Sequence, residues 1–232
     1  MNKFGLLSKI EILQTLPSVI IANLNPAITH NLEKYKAIKK AFYISSIENI
    51  QGDYFEFGVF TGSSFCHAIR CAKALEKFDE QLKMMHFFGY DSFEGFGNIS
   101  EIDKHKFYTD INFETSYKKT KQRILKLVDE SKFTLVKGYF EDSLSSICTN
   151  KARIIFIDSD TYSSANLALN FLKQSIQEGT IIILDDYFSY RGSLTKGVAG
   201  ATYEFMKKTN IQFRELASYG MGGKVVIVSK IG

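Results

Sequence analysis

The sequence predicts a doubly wound α/β fold whose seven-stranded sheet is mostly parallel and closes with an antiparallel C-terminal hairpin. Two runs, 154–157 and 181–184, contain only apolar residues, and such runs are typical of parallel strands buried on both faces. From residue 53 onward, strand-like and helix-like segments alternate, which indicates successive βαβ units. Glycines at 220, 222 and 223 separate the last two strand-like segments and predict the hairpin.

The elements follow one another without a linker or an internal repeat. Residues 1–50 form a helical segment, which we expect to act as a lid or an oligomer contact, and residues 51–232 form one domain. The predicted strands are 53–57, 84–90, 133–136, 154–157 and 181–184, with hairpin strands at 213–216 and 225–228. The predicted helices are 63–78, 117–128, 141–147, 163–176 and 198–208, the fourth capped by Ser163 or Ser164. The aperiodic stretch 92–116 is typical of a lid.

Composition excludes several classes of protein. Of 232 residues, 45% are hydrophobic and 23% charged, and the net charge is only +4, which is typical of a soluble globular protein without a nucleic-acid surface. No run approaches the roughly 18 apolar residues that a membrane helix needs. The three cysteines have no metal-binding spacing, which favours a reducing compartment. We therefore expect a cytoplasmic protein that contacts neither membrane nor nucleic acid.

Both apolar runs end abruptly in carboxylates. Asp158 and Asp160 follow the first run, and Asp185 and Asp186 follow the second. Neighbouring parallel strands end at one edge of a sheet, where ligands bind, and carboxylates that meet there repel unless a cation or shared protons compensate. Carboxylate oxygens are preferred ligands of Mg²⁺. Asp160, two residues past Asp158, can reach the same centre and accept a proton, or it can simply cap the next helix.

A glycine loop follows the first predicted strand. It contains Gly58 and Gly62, with Ser63 opening the helix, instead of the G-x-G-x-x-G pattern of dinucleotide-binding proteins. A pyrophosphate requires backbone N–H groups and no neighbouring anion, so Glu56 disfavours it and favours a cationic ligand. S-adenosylmethionine, which carries an ammonium and a sulfonium, fits this requirement. The alternative is a turn that needs glycine for structural reasons alone.

Acids at the ends of the next strands suit the same cofactor. Asp91, followed by Ser92, ends the second strand, where an acid usually accepts hydrogen bonds from ribose hydroxyls. Glu141 follows the third strand on the adenine side, and Phe140 provides an apolar wall beside it. Each acid alone is equally compatible with a helix cap or a solvated side chain. Four consecutive strands that each end in an acid favour a cofactor site.

Five motifs in this order resemble those of a known family. They are Glu56–Gly62 (EFGVFTG), Gly89–Gly95 (GYDSFEG), Val136–Asp142 (VKGYFED), Ile157–Ser164 (IDSDTYSS) and Asp185–Tyr187 (DDY). As a set, over roughly residues 50–210, they resemble the macrocin O-methyltransferase family of class I S-adenosylmethionine-dependent methyltransferases. Residues 1–50 lie outside the resemblance.

The resemblance implies a Rossmann-like methyltransferase fold and Mg²⁺-dependent methylation of a hydroxyl on a sugar or glycosylated small molecule. It implies Asp158, Asp185 and Asp186 as metal ligands and Asp160 as the base. The expected cofactor contacts are Glu56, Gly58, Gly62, Ser63, Asp91, Ser92, Phe140, Glu141 and Asp158.

Three other functions stay open at this point. One is a metal-free methyltransferase whose carboxylates hold an amine or another small-molecule acceptor. The others are a nicotinamide-dependent oxidoreductase, which the missing G-x-G-x-x-G argues against, and a non-catalytic ligand-binding protein. Within the predicted enzyme, His105 in the lid stretch competes with Asp160 for the role of base.

Overall fold

The computed structural model describes residues 5, 9–108 and 113–232. Its seven-stranded sheet has the order β3-β2-β1-β4-β5-β7-β6, with β1 to β5 parallel and β7 antiparallel to β5 and β6. The predicted fold class is therefore confirmed. The strands are β1 Asp53–Phe57, β2 Phe87–Asp91, β3 Phe133–Lys137, β4 Ala152–Ile157, β5 Ile181–Leu184, β6 Gln212–Tyr219 and β7 Gly223–Lys230.

Helices cover both faces of the sheet. They are α1 Glu11–Asn23, α2 Pro26–Ile47, α3 Ser63–Leu75, α4 Tyr117–Leu125, α5 Phe140–Ser143, α6 Tyr162–Phe171 and α7 Gly197–Thr209. Short 3₁₀ segments lie at Glu80–Lys83, Glu101–Asp103 and Glu130–Lys132, and a helical turn lies at Ser189–Gly192. In the described part of the chain, no helix is long and apolar enough to span a membrane.

Several predicted boundaries are wrong by a few residues. The second strand begins at Phe87 rather than at residue 84, because Met84 is 80% exposed and precedes the buried core. The short helix expected at 141–147 spans only Phe140–Ser143. The cap of α6 is Thr161, whose hydroxyl accepts a hydrogen bond from the backbone N–H of Ser164 at 3.2 Å. Neither predicted serine occupies the cap, and Asp160 does not cap this helix.

The central strands are buried on both faces, as their apolar runs predict. On one face, Phe156 and its neighbours pack against α2 and α3 through residues such as Phe42 and Phe65. On the other face, Ile157 packs against α6 and α7 through residues such as Leu169. Each of these side chains is fully buried. The strand ends of β4 and β5 are consequently fixed in the middle of the molecule.

Helix α2 is held against the sheet at its C-terminal end by a buried arginine. Arg153 of β4 donates from Nε to Ser45 (2.8 Å) and from Nη2 to Ser46 (2.7 Å) and Asp79 (2.6 Å). The preceding helix α1 buries none of its residues. The segment expected to be helical is therefore helical where it is described, but only α2 belongs to the packed body.

Candidate active site

A cavity of about 890 Å³ opens at the edge of the sheet where β1, β2, β4 and β5 end. Its volume lies in the range of small-molecule and cofactor sites, roughly 300–1,000 Å³. The predicted site residues that line it are Gly58, Asp91, Ser92, Phe140, Glu141, Asp158, Asp160, Asp185 and Asp186. The structure thus brings the predicted cofactor contacts and the acidic cluster to one place.

Gly58 marks the closest approach of two loops in the cavity wall. Its φ is +91°, and a Cβ there would lie 1.8 Å from the carbonyl oxygen of Asp158. Any other residue would push the ends of β1 and β4 apart, so the turn after β1 needs a glycine at this position for steric reasons. Since Gly58 also lines the cavity, the absence of a side chain leaves its backbone open to a ligand.

Asp91 holds the cofactor-side loops through backbone hydrogen bonds. Its carboxylate accepts from the N–H of Phe60 at 2.7 Å and from the N–H of Phe93 at 2.6 Å. Burial raises the pKa of Asp91, and these N–H donors oppose that shift. Phe140 packs edge-on against Phe57 with ring centroids 5.7 Å apart, as expected of an apolar wall. Each oxygen of Asp91 retains a lone pair for a ligand hydroxyl.

Three predicted cofactor residues lie outside the cavity lining. Glu56 is fully buried, and its carboxylate accepts hydrogen bonds from Tyr54 (2.5 Å) and Ser64 (2.7 Å). Burial raises its pKa to about 7, because desolvation outweighs these donors. In a strand, Tyr54 and Glu56 point to the same face, here the layer of α2 and α3. The expectation that Glu56 attracts a cationic ligand directly is therefore not supported by its position.

Gly62 and Ser63 stand at the start of α3 rather than in the cavity. Gly62 precedes the helix with φ +76°, and a Cβ there would lie 3.0 Å from the Thr120 side chain. Ser63 forms a hydrogen bond with the hydroxyl of Tyr35 on α2. Both residues lie next to the loop that lines the cavity.

The predicted metal ligands lie together at the other side of the cavity. One carboxylate oxygen from each of Asp158, Asp185 and Asp186 lies within 4.8 Å of the others. They come from the ends of β4 and β5, which pair in parallel register with Ile157 opposite Leu184. This juxtaposition follows directly from the two apolar runs and the residues after them.

A buried lysine compensates this negative charge. Lys34 of α2 donates from Nζ to Asp158 Oδ2 at 2.8 Å and to Asp185 Oδ2 at 2.6 Å, and its side chain is 11% exposed. Burial alone would lower the pKa of Lys34, but the two carboxylates overcome it and raise the pKa well above its ordinary value. Lys34 is therefore an ammonium ion bridging two of the predicted metal ligands.

Further donors converge on Asp185. Tyr219 donates to Oδ1 at 2.7 Å, and His30 lies with Nε2 3.1 Å from Oδ2. The backbone N–H of Met221 points at Nδ1 of His30 at 3.1 Å, so Nδ1 is the acceptor and Nε2 carries the proton. Although burial would raise the pKa of Asp185, the hydrogen bond from His30 and the charge of Lys34 hold it well below its usual range.

Asp160 and Asp186 form a second carboxyl pair in the same wall. A side-chain hydrogen bond links them, and burial together with the charge of Asp186 raises the pKa of Asp160 well above its ordinary value. Both residues adopt left-handed backbone conformations, with φ of 61° and 50°, which are uncommon for residues other than glycine. Burial also raises the pKa of Asp186, and the charge of Asp185 adds to that shift.

Aromatic side chains form a further part of the cavity wall. His105 packs with ring centroids 4.8 Å from Tyr108 and 5.0 Å from Tyr190, and Phe96 lies 5.7 Å from Tyr108. All line the cavity. The lid stretch 92–116 thus contributes directly to the site, although its residues 109–112 lie outside the described chain.

Comparison with protein families shows to which family this chain belongs. The profile of the macrocin-O-methyltransferase (TylF) family matches residues 30–216. This chain belongs to the macrocin-O-methyltransferase family. The predicted family is confirmed. The match begins at residue 30, so the expectation that residues 1–50 lie outside the resemblance is wrong for α2.

Individual relatives agree with this assignment. A mycinamicin III 3''-O-methyltransferase from Micromonospora griseorubida is 23% identical over 151 residues, or 60% of this chain and 57% of that protein. This chain thus matches little more than half of that curated relative.

Solved methyltransferases share the fold. The O-methyltransferase NovP has a TM-score of 0.68 at 19% identity, covering 84% of this chain and 79% of that one. The calicheamicin methyltransferase CalS11, also described as a TDP-rhamnose 3'-O-methyltransferase, has a TM-score of 0.64 at 15% identity, covering 97% and 89%. A Bacillus cereus O-methyltransferase in complex with SAH has a TM-score of 0.52 at 15% identity, covering 97% and 96%.

Sequence reasoning missed the donors that hold the acidic cluster of this family member. Neither Lys34 nor His30 is among the residues that the sequence predicts at the acidic cluster. A signal was present, since Lys34 lies on the stripe that continues through Ile38, Ala41 and Ser45, all buried. A lysine at helical spacing with core residues needs a buried anion as its partner.

Ser159 is a further missed residue, placed between the two acids of the β4 loop. Its hydroxyl is buried, and within the described chain it has no hydrogen-bond partner. The residue is 7% exposed and lines the cavity. Buried polar atoms in folded proteins usually have partners, so this hydroxyl is available to a ligand.

Proposed function

We propose that this protein transfers the methyl group of S-adenosylmethionine to a hydroxyl of a sugar or glycosylated small molecule, with Mg²⁺ as a cofactor. The observation that carries the proposal is the meeting of the cofactor-side loops with the cluster of Asp158, Asp160, Asp185 and Asp186 in one cavity. Membership of the macrocin-O-methyltransferase family supports it.

Residues on the cofactor side fit S-adenosylmethionine. The cofactor supplies an electrophilic methyl group on a sulfonium. The open backbone at Gly58, the acceptor lone pairs of Asp91 and the unpartnered hydroxyl of Ser159 offer polar contacts without a phosphate cradle. Phe140 supplies an apolar surface and Glu141 a carboxylate at the rim for the adenosine part. A shared fold with an SAH-bound methyltransferase is compatible with this assignment.

The acidic cluster fits a hard divalent cation. Asp158, Asp185 and Asp186 offer oxygen ligands within 4.8 Å of one another, which is the chemistry that Mg²⁺ prefers. The ion pairs of Lys34 with two of these acids are compatible with a site for positive charge. When bound, the cation supplies Lewis acidity, which lowers the pKa of an acceptor hydroxyl.

Asp160 is the proposed general base. It lines the cavity, and its raised pKa makes the carboxylate a stronger proton acceptor than an exposed aspartate. The proton of the acceptor hydroxyl would move to a carboxylate oxygen of Asp160. The acceptor oxygen would then attack the methyl carbon of S-adenosylmethionine as the bond from that carbon to sulfur breaks, with S-adenosylhomocysteine as the leaving group. The aromatic wall of Tyr108 and Tyr190 excludes water and holds the two reactants in line. His105, in the same wall, remains the alternative base.

The acceptor side suits a sugar carried on a larger molecule. Aromatic rings around Phe96 and Tyr108 offer flat apolar surface, and the acids below them offer hydrogen-bond acceptors to hydroxyls. CalS11 is a TDP-rhamnose 3'-O-methyltransferase, and the Micromonospora griseorubida relative is a mycinamicin III 3''-O-methyltransferase. These similarities support a sugar hydroxyl as the acceptor.

The decisive experiment measures transfer of a labelled methyl group from S-adenosylmethionine to a panel of glycosides and nucleotide-linked sugars. Exhaustive chelation should abolish transfer, and added Mg²⁺ should restore it, whereas SAH binding measured by calorimetry should survive chelation. Transfer that is unaffected by chelation would contradict the metal requirement, while the proposed methyltransferase activity would still stand. Binding of a nicotinamide dinucleotide without binding of SAH would contradict the whole proposal.

A metal-free methyltransferase is the second candidate, and one observation favours it. Lys34 already places a positive charge between Asp158 and Asp185, so the cluster is compensated by the chain itself. In this case the acids would bind an amine or another small-molecule acceptor. Full activity after chelation, together with loss of activity in Lys34→Met, would support this function.

We also propose a homo-oligomer. Helix α1 exposes Ile12, Leu16 and Ile20 by more than half of their surface and buries nothing within the described chain. In the predicted oligomer, a second copy of this chain would cover these apolar side chains. Light scattering of the full chain and of a variant with Leu16→Glu and Ile20→Glu tests it, and a monomer in both samples would contradict it. The cytoplasmic location stays a prediction.

A further inference from the structure

Two of the three proposed metal ligands are already engaged by a cation of the chain. Lys34 Nζ lies 2.8 Å from Asp158 Oδ2 and 2.6 Å from Asp185 Oδ2. Both oxygens of Asp185 are occupied as well, since Tyr219 donates to Oδ1 and His30 to Oδ2. A divalent cation on Asp158 and Asp185 would lie within a few ångströms of the ammonium, and the two would repel each other strongly.

Lys34 lines the cavity, so its side chain has open space beside it into which it can turn while helix α2 stays in place. Lysine has four rotatable methylenes, and its Nζ also lies 5.6 Å from the ring centroid of Phe156, within the range of a cation–π contact. The helix itself has independent attachments. Glu33 accepts from the backbone N–H of Gly220 at 2.6 Å, and Ser45 is held by Arg153.

We propose that Lys34 is a tethered competitor of the metal, which closes the carboxylate pair when no metal is bound and withdraws from it when the metal binds. The inference rests on the metal requirement of the proposed function. It assigns to α2 a role that the carboxylates alone do not reveal. The apparent metal affinity is then set by the difference between the free energies with which the metal and the Lys34 ammonium bind the carboxylates. The buried acids are paired with a cation in both states.

The first test reads the position of the lysine in the unmodified protein. A buried, ion-paired amine reacts slowly with an acylating reagent, whereas an exposed amine reacts readily. Lys34 should be labelled at least tenfold faster after saturation with Mn²⁺, used as the metal probe and followed by paramagnetic resonance. Lys36, exposed on the same helix and in the same peptide, should be labelled at an unchanged rate in mass spectra.

The second test removes the competitor. Lys34→Met keeps the length of the side chain and lacks the charge, so it should bind Mn²⁺ at least tenfold more tightly than the unmodified protein. Lys34→Arg keeps a cation and should bind no more tightly than the unmodified protein. Lys36→Met, the matched control, should change the affinity by less than twofold. If Lys34→Met does not fold, the labelling of the unmodified protein still shows whether Lys34 leaves the carboxylates when the metal binds.

The outcomes separate two failures. Mn²⁺ binding with unchanged labelling of Lys34, or with equal affinity in Lys34→Met, overturns the competition while the metal requirement stands. Absence of Mn²⁺ binding in every variant at millimolar metal overturns the metal requirement and the competition with it. Transfer of the methyl group after chelation then distinguishes the metal-free enzyme from an inactive one.

Discussion

The two sides of the cavity hold their carboxylates in different ways. On the cofactor side, Asp91 is held by backbone N–H groups of Phe60 and Phe93, in the loops after β1 and β2. On the acceptor side, Asp185 is held by side chains of His30 and Tyr219, from α2 and β6. Backbone donors depend on the loop path, whereas side-chain donors depend on the identity of distant residues. The cofactor side is thus a property of the fold, and the acceptor side is a property of this sequence.

The largest expected effect separates chemistry from binding on the acceptor side. Asp160→Asn keeps the shape of the side chain and removes the proton acceptor, so kcat should fall by about 10²–10⁴. SAH affinity, measured by calorimetry, should change little because the cofactor side is held independently. His105→Ala is the matched comparison and should retain most of the activity. Near-normal turnover of Asp160→Asn with an inactive His105→Ala would move the base to the lid.

The next largest effect concerns Glu56, whose carboxyl is buried behind the cofactor side. Its pKa is raised from 4.5 to about 7, so the folded protein binds more protons than the unfolded chain between these values. The free energy of unfolding should therefore decrease as pH rises from about 4.5 to about 7, by up to about 3 kcal/mol from this group.

Glu56→Gln isolates this contribution. Since glutamine does not titrate, the variant should lose that part of the decrease, and its stability relative to the parent should rise between pH 5 and pH 8. Denaturant unfolding at several pH values measures the difference. In the control variant Glu101→Gln, which changes an exposed side chain, the free energy of unfolding should depend on pH as it does in the parent. A parallel profile for Glu56→Gln as well would show that Glu56 ionises normally.

A smaller effect is expected from the backbone-held acid. Asp91→Ala leaves the N–H groups of Phe60 and Phe93 without their acceptor and removes a ligand contact, so SAH binding should weaken by about 1–3 kcal/mol. Asp129→Ala, an exposed acid, is the control. If Asp91→Ala lowered kcat at saturating cofactor more than it weakened SAH binding, the two sides would not be independent.

The smallest effect tests the unpartnered hydroxyl between the two sides. Ser159→Ala removes a buried polar atom without a partner in the described chain, so stability should be unchanged or slightly higher. If the hydroxyl contacts a ligand, affinity for SAH or for the acceptor should fall by about 1 kcal/mol. Unchanged affinity for both ligands would make Ser159 a structural residue only.

The sequence predicts those features that depend on short stretches of chain. The acids after β4 and β5 were predicted because a strand and the residues after it are contiguous, and the parallel pairing of the strands brings them together. Lys34 was not predicted as a partner because 124 positions separate it from Asp158. The sequence predicts Glu56 as a ligand because this residue lies next to the glycine loop, but the sequence does not show which face of β1 carries its side chain. Contacts between residues far apart in the sequence, and the face of a strand on which a side chain lies, can be determined only from the folded structure.

Helix α2 runs beside β4 and is attached to this strand and the loop after it at two points, Lys34 and Ser45, and this fixes the length of chain between the attachments. From Lys34 to Ser45 the helix rises about 16 Å, and from Arg153 to Asp158 the strand covers about 16 Å as well. Inserting one helical turn between Ala37 and Ala41 would keep every side chain on its face but shift one attachment by about 5 Å. Insertions and deletions should therefore be absent from this part of natural variants and should be tolerated in the neighbouring α1, which buries no residue.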